Sequence, residues 1–150
     1  MLDIELLEMS FERGKCIVLP ITIFSCSKSD INRAYSINAI LDTGATSTHV
    51  SKKILLEMGY DEKDFRQDTK ISLSVTGRYS AMVCRLQKFA FCGLTINDFD
   101  VKVWEPPDSY HADGIIGMNV IRYYNLHINS DTQKVTVNRS EATNSALRKL

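Results

Sequence analysis

The sequence has no excess of charge of either sign. Its 150 residues hold 18 Lys and Arg against 18 Asp and Glu, a formal net charge of zero. That gives no electrostatic case for nucleic acid or an acidic membrane surface, and no basic stripe with interleaved aromatics marks a nucleic-acid-binding barrel. Neutrality also removes net self-repulsion as an obstacle to association. No apolar run approaches the roughly 20 residues that span a bilayer. The start, Met1-Leu2-Asp3-Ile4-Glu5, lacks the basic opening and apolar stretch of a secretory signal. The expected compartment is the cytoplasm, with no membrane partner. Cys16, Cys26, Cys84 and Cys92 form no Cys-x-x-Cys pair, and His49, His111 and His127 do not supply metal-ligand spacing. No metal and no other cofactor is expected. Cys16, Cys84 and Cys92 lie among apolar or β-branched neighbours and read as small core residues.

What the chain does hold is period-two patterning. A length of 150 residues suits one domain with a sizeable core, and there is no internal repeat or linker. Cys16 to Phe24 is an apolar, β-branched run, with Pro20 marking an edge or bulge. Ser36 to Leu41 follows a polar turn. Ser51 is placed to cap a short helix carrying Ile54, Leu55 and Met58, closed by Gly59. Ile71, Leu73 and Val75 alternate with Ser72, Ser74 and Thr76, and Met82 to Phe89 continues beyond a Gly77-containing turn, so Ile71 to Leu86 reads as a hairpin. Phe91-Cys92-Gly93-Leu94 is a turn and Phe99 to Val103 a strand. Trp104 to Ala112, with Pro106-Pro107, reads as an exposed loop, with Trp104 as a core or loop anchor. Strands carrying Leu126 and Ile128, then Val135 and Val137, flank a turn at Asp131-Thr132-Gln133. The expected organisation is an N-terminal extension over 1–13, a domain over 14–138 and a polar tail or short surface helix over 139–150. The fold class expected is all-β (mainly β), a closed barrel with one or two short helices.

One motif carries chemistry. Asp42-Thr43-Gly44-Ala45 follows the apolar run Ile37-Asn38-Ala39-Ile40-Leu41, which puts a carboxylate where a strand breaks into a turn. Two such carboxylates facing each other can share a proton and activate a water. The chain has one, so that chemistry needs a second copy. About seventy positions on comes Asp113-Gly114-Ile115-Ile116-Gly117-Met118-Asn119.

These two motifs, in this order, resemble the retropepsin-like aspartic proteases, single-domain relatives of pepsin. The matching pieces are Ile40 to Ala45 and Asp113 to Ile121, within a span of about Cys16 to Asn138, closer to cellular and bacterial stand-alone members than to viral ones. The resemblance implies a closed acid-protease barrel and a homodimer acting on a peptide or protein substrate. Asp42 would be catalytic, opposite Asp42 of a second subunit. Thr43 would hydrogen-bond across the dimer axis, and Gly44 would let the substrate backbone approach. Ile115, Ile116 and Gly117 would pack behind the catalytic loop. Thr76, Gly77, Arg78 and Tyr79 would form a flap over the substrate. Relatives with Ser or Thr in place of Ala45 can donate a hydroxyl hydrogen bond to the charged pair. Ala45 cannot, so the expected working range lies nearer neutrality than that of digestive relatives.

The chain departs from the viral pattern at one place. Viral members carry an Asp after Asp-Thr-Gly-Ala and an Arg after Ile-Ile-Gly, which pair to brace the dimer. Here those positions are Thr46 and Met118, so no unpaired charge is stranded. Asp113 reads as a turn residue, since Asp-Gly is a common turn signal. His49 and His111 read as surface or satisfied histidines. A competing function is a catalytically silent dimerisation or peptide-binding module on the same fold, with its Asp-Thr-Gly retained.

Overall fold

Burial alternates along Val18–Phe24 and again over residues 37–39, the pattern of strands that turn one face inward. The computed structural model describes residues 6–28, 33–68, 72–74, 77–79 and 82–148. In chain order the first elements are β1 (Leu6–Ser10), β2 (Val18–Phe24), β3 (Ala34–Leu41), β4 (His49–Ser51) and α1 (Lys52–Glu57). A 3-10 turn (Glu62–Asp64) leads to β5 (Phe65–Gln67), β6 (Ser72–Ser74), β7 (Gly77–Tyr79), β8 (Met82–Phe91) and β9 (Leu94–Trp104). The last elements are β10 (Gly114–Ile116), α2 (Met118–Ile121), β11 (Tyr124–Asn129), β12 (Lys134–Arg139) and α3 (Glu141–Arg148).

Strands β2, β3, β10, β4, β9 and β8 pair in that order, and β2 returns to β8 through Thr22↔Ala90 and Ile23↔Phe89. This closes a six-stranded barrel. Leu19, Ile21, Ile23, Val50, Leu86, Phe89, Val101 and Ile116 point into it and are almost fully buried. Pro20 sits in the part of β2 whose recorded pairing is to β3 alone, where its missing N–H interrupts no ladder. The same edge of β8 serves β5 through Met82–Cys84 and β2 through Phe89–Ala90. Between them, the Tyr60 hydroxyl accepts from the Gln87 N–H at 3.0 Å and donates to the Phe24 carbonyl at 3.2 Å. Burial pushes that phenol up to about 12.

A second sheet, β1–β12–β11, lies outside the barrel. The segment read as an N-terminal extension therefore supplies a strand, Leu6–Ser10, paired with Asn138–Lys134. Arg139, read as the first residue of the tail, is the buried end of β12 opposite Tyr124. The rest of that tail forms α3, where the Thr143 N–H donates to Ser140 Oγ. With α1 and α2, this makes three short α-helices among the described residues, where one or two were expected. A four-residue helix such as α2 is too short to write a 3.6-residue period into the sequence.

Three further expectations change. Ser51 stands at the N-cap of α1, yet its side chain makes no capping bond. It is the last residue of β4, and its N–H is bonded to the Asp113 carbonyl. Cys16 is exposed and Cys92 half-buried, because both lie outside the inward rows of the strands, whereas Cys84 is in the core and burial pushes its thiol up to about 12. The hairpin expected over Ile71 to Leu86 is shorter: β6 pairs with β7 with Ser74 opposite Gly77, and β8 from Met82 belongs to the barrel. Ile71, Val75 and Thr76 lie outside the described residues. The β8–β9 turn falls at Cys92-Gly93 as expected, with φ of 43° and 74°, the left-handed pair that a two-residue hairpin needs. No helix among the described residues is long and apolar enough to cross a membrane.

Candidate active site

Parallel pairing of β3 with β10 sets Ile40 opposite Ile115 and Leu41 opposite Ile116. The chain then leaves β3 at Asp42, whose N–H donates to the Ile116 carbonyl at 3.0 Å. The preceding Leu41 N–H is held by the Ile17 carbonyl at 2.8 Å. A short turn follows, with the Ala45 N–H bonded to the Asp42 carbonyl at 3.2 Å. Asp42 Oδ1 accepts the Gly44 N–H at 2.9 Å, an Asx turn that fixes the carboxylate against its own loop. Asp42, Thr43 and Gly44 are exposed and Ala45 is half-buried. A carboxylate on a backbone-fixed turn and open to solvent is available to a second molecule.

The second motif grips this loop from behind. The Met118 N–H donates to the Ala45 carbonyl at 2.8 Å, and the Asn119 N–H to the Thr46 carbonyl at 3.2 Å. Gly117 lies so close to the loop that a Cβ there would stand 2.3 Å from the Ser47 carbonyl oxygen. Thr48, fully buried, accepts the Gly117 N–H at 3.1 Å and donates to Asn119 Oδ1 at 2.7 Å. Two motifs far apart in sequence are thereby one structural unit. A family described as "gag-polyprotein putative aspartyl protease" matches residues 27–123, a stretch that holds both. The chain belongs to the retropepsin-like aspartyl protease family.

Solved structures agree on the fold. A retropepsin-like aspartic protease from Rickettsia conorii is similar, with TM-score 0.66 and 15% identity, over 91% of this chain and 92% of that one. The EIAV protease in complex with the inhibitor HBY-793 gives TM-score 0.50 and 16% identity, over 76% of this chain and 92% of that one. No curated protein matches the sequence at a significant level.

In this retropepsin-like chain the remaining expected residues fall in several places. Ile115 is half-buried, while Ile116 and Gly117 are buried behind the Asp42 loop. Gly77, Arg78 and Tyr79 form β7, and Thr76 lies outside the described residues. Asp113, read as a turn residue, is exposed, but its N–H on the Asn38 carbonyl and its carbonyl on the Ser51 N–H extend the pairing of β10 to β3 and β4 by one residue. Trp104 packs edge-on against Tyr110, with ring centroids 5.9 Å apart, across the loop of residues 105–113. Among the described residues no three His, Cys, Asp or Glu side chains gather as a metal site.

Sequence reading missed Thr48 and Asn119. A threonine in a small-residue run carries no local signal, and its partners lie 69 and 71 positions away. His49, read as a surface or satisfied histidine, is a satisfied one. It is half-buried, with Nδ1 at 3.0 Å from the Ser47 carbonyl. Burial holds the imidazole below its usual range; Lys102 acts in the same direction, while the Ser47 carbonyl and Asp42 oppose. It is therefore a neutral neighbour of the Asp42 loop near pH 7.

Thr48→Val removes the acceptor for a buried N–H and the donor to Asn119 at nearly constant volume. Unfolding free energy is expected to fall by about 1–3 kcal/mol, read by urea denaturation. A change below about 0.5 kcal/mol would show that Thr48 does not tie the motifs together.

Proposed function

We propose that this chain is a homodimeric aspartic endopeptidase, with its peptide-cutting site formed by Asp42 from each of two subunits. One observation carries the reading: an exposed carboxylate sits on a turn fixed by backbone hydrogen bonds, one per chain, in a retropepsin-like fold. Carboxylates about 3 Å apart cannot both ionise cheaply, so the pair holds one shared proton. The ionised member takes a proton from a bound water as its oxygen attacks the scissile carbonyl carbon, while the other donates to the carbonyl oxygen. The resulting gem-diol collapses as the C–N bond breaks and the leaving amine takes up a proton. No acyl-enzyme forms.

Thr43 fixes the separation of the two loops across the dimer axis, and Gly44 admits the substrate backbone. The β6–β7 hairpin, with Thr76, Gly77, Arg78 and Tyr79, acts as the flap that excludes water. Half-buried Ile40 and Ile115, paired next to the Asp42 turn, favour bulky apolar residues beside the cut. Thr46 and Met118 replace the viral charged pair, so other contacts brace the dimer, while the backbone bonds from Met118 and Asn119 hold the loop within each subunit. The cytoplasm is the compartment in which we expect it to work.

The test is cleavage of a diverse peptide library, read by mass spectrometry from about pH 4 to 8. Cuts blocked by a statine-type transition-state mimic, with specific activity falling on dilution as dimers dissociate, are the expected result. No cuts from protein shown to be dimeric would leave the peptide-binding module as the better reading. An optimum below about pH 3.5 would refute the effect assigned to Ala45.

A further inference from the structure

Lys102 is a buried charge on β9, only 5% exposed. Its Nζ lies 3.8 Å from Asp68 Oδ2, and the two side chains are 7% and 15% exposed. Every other ion pair among the described residues has both side chains at least 26% exposed. An ammonium is not buried without a partner, since its lost hydration has to be replaced by fixed polar contacts. The location of this pair therefore calls for a reason.

Asp68 marks where the chain leaves the barrel. The β5–β8 ladder ends at Gln67 opposite Met82, Asp68 is the next residue, and β6 begins at Ser72. The whole β6–β7 hairpin lies between Asp68 and Met82. Lys102 stands on the other side of that exit. It faces Val83 on β8 and His49 on β4, in a register row that continues through Ile115 to Ile40 beside the Asp42 turn. Its N–H donates to the carbonyl of Thr48, the residue whose hydroxyl holds Gly117. The pair thus links the root of the hairpin to the strands that carry the catalytic loop.

We propose that the buried Lys102–Asp68 ion pair anchors the root of the β6–β7 hairpin to the barrel wall behind the Asp42 loop, making Lys102 and Asp68 positioning residues for closure over substrate. The role in closure rests on the endopeptidase reading; the anchoring does not. Both residues act through the hairpin, and neither has to touch the substrate.

Hydrogen exchange tests the anchor without any need for catalysis. In Asp68→Asn, amides of Ser72–Ser74 and Gly77–Tyr79 are expected to exchange at least about tenfold faster, with β2 and β3 unchanged. Because the single variant takes the carboxylate away from a buried ammonium, the charge-free pair Asp68→Asn with Lys102→Met is the decisive protein. It should fold, keep slow exchange in β2 and β3, and show the same fast hairpin exchange. Lys102→Arg, which keeps the charge, should stay within about threefold of wild type at the hairpin. In peptide cleavage the charge-free pair should raise KM about tenfold and hold kcat within about threefold. Unchanged hairpin exchange in the folded charge-free pair would overturn the proposal. So would hairpin and barrel accelerating together, failure of that protein to fold, or a loss confined to kcat. Absence of cleavage by wild type would sink the endopeptidase reading, while the exchange result still decides the anchor.

Discussion

Asp42→Asn is expected to lower kcat/KM for peptide hydrolysis by at least about a thousandfold while leaving the fold intact. The first half follows from the chemistry. An amide can neither take the proton from water nor share one with a partner carboxylate, and general acid–base groups of this kind contribute about 10²- to 10⁴-fold. The second half follows from the geometry. Asn is isosteric, its side-chain oxygen can still accept the Gly44 N–H, and the residue is exposed. Unfolding free energy should therefore move by no more than about 0.5 kcal/mol. A mixing experiment separates a shared site from two independent ones. If both carboxylates belong to one site, equal amounts of wild-type and variant subunits, allowed to exchange, should give roughly a quarter of full activity by random pairing. Half activity would mean that each subunit works alone, and full activity in the pure variant would remove Asp42 from the mechanism.

The Asp42 loop was legible because its signal is local. An apolar run ending in Asp-Thr-Gly states in a few residues that a strand ends and a turn begins, and the partner run Ile115-Ile116-Gly117 is equally compact. Their parallel pairing, Ile115 opposite Ile40, is the feature by which the fold joins them. The Cys92-Gly93 turn and the strands around Asp131-Thr132-Gln133 were readable for the same reason. Contacts with large sequence separation were not. Barrel closure rests on two recorded residue pairs between β2 and β8, and β1 finds β12 at the far end of the chain. Thr48, Asn119, Asp68 and Lys102 are polar residues whose environments are assembled from several strands, and polarity alone suggests a solvated face. Cys16 was misplaced because β2 begins only at Val18, and apolar neighbours in sequence do not fix where a strand starts.

Gly117→Ala is expected to be the most destabilising single substitution in the two motifs. The backbone there has φ −99° and ψ −179°, open to any L residue, so glycine is required by space alone. An added Cβ would meet the Ser47 carbonyl oxygen at 2.3 Å, the Ser47 carbonyl carbon at 2.5 Å and the Ala45 carbonyl oxygen at 3.0 Å. All three are backbone atoms, so no side-chain rotation relieves the clash. Moving residues 45–47 away would stretch the bonds from Met118 to Ala45 and from Gly117 to Thr48. Overpacking commonly costs about 1–3 kcal/mol, and rigid backbone neighbours with two hydrogen bonds at stake raise the expected loss to about 3–5 kcal/mol. Against a total near 5–15 kcal/mol, the melting temperature should fall by roughly 10 °C. Gly114→Ala is a graded control. Its Cβ would meet the His49 carbonyl oxygen at 3.0 Å and the Ala39 Cβ at 3.3 Å, so a smaller loss is expected. Gly44→Ala meets Asp42 Oδ1 at 3.2 Å, a side-chain atom on an exposed turn, and should cost more activity than stability. Thermal melts and peptide cleavage on the three variants test that order. A Gly117→Ala protein within about 1 kcal/mol of wild type would mean that the second motif does not hold the Asp42 loop by contact.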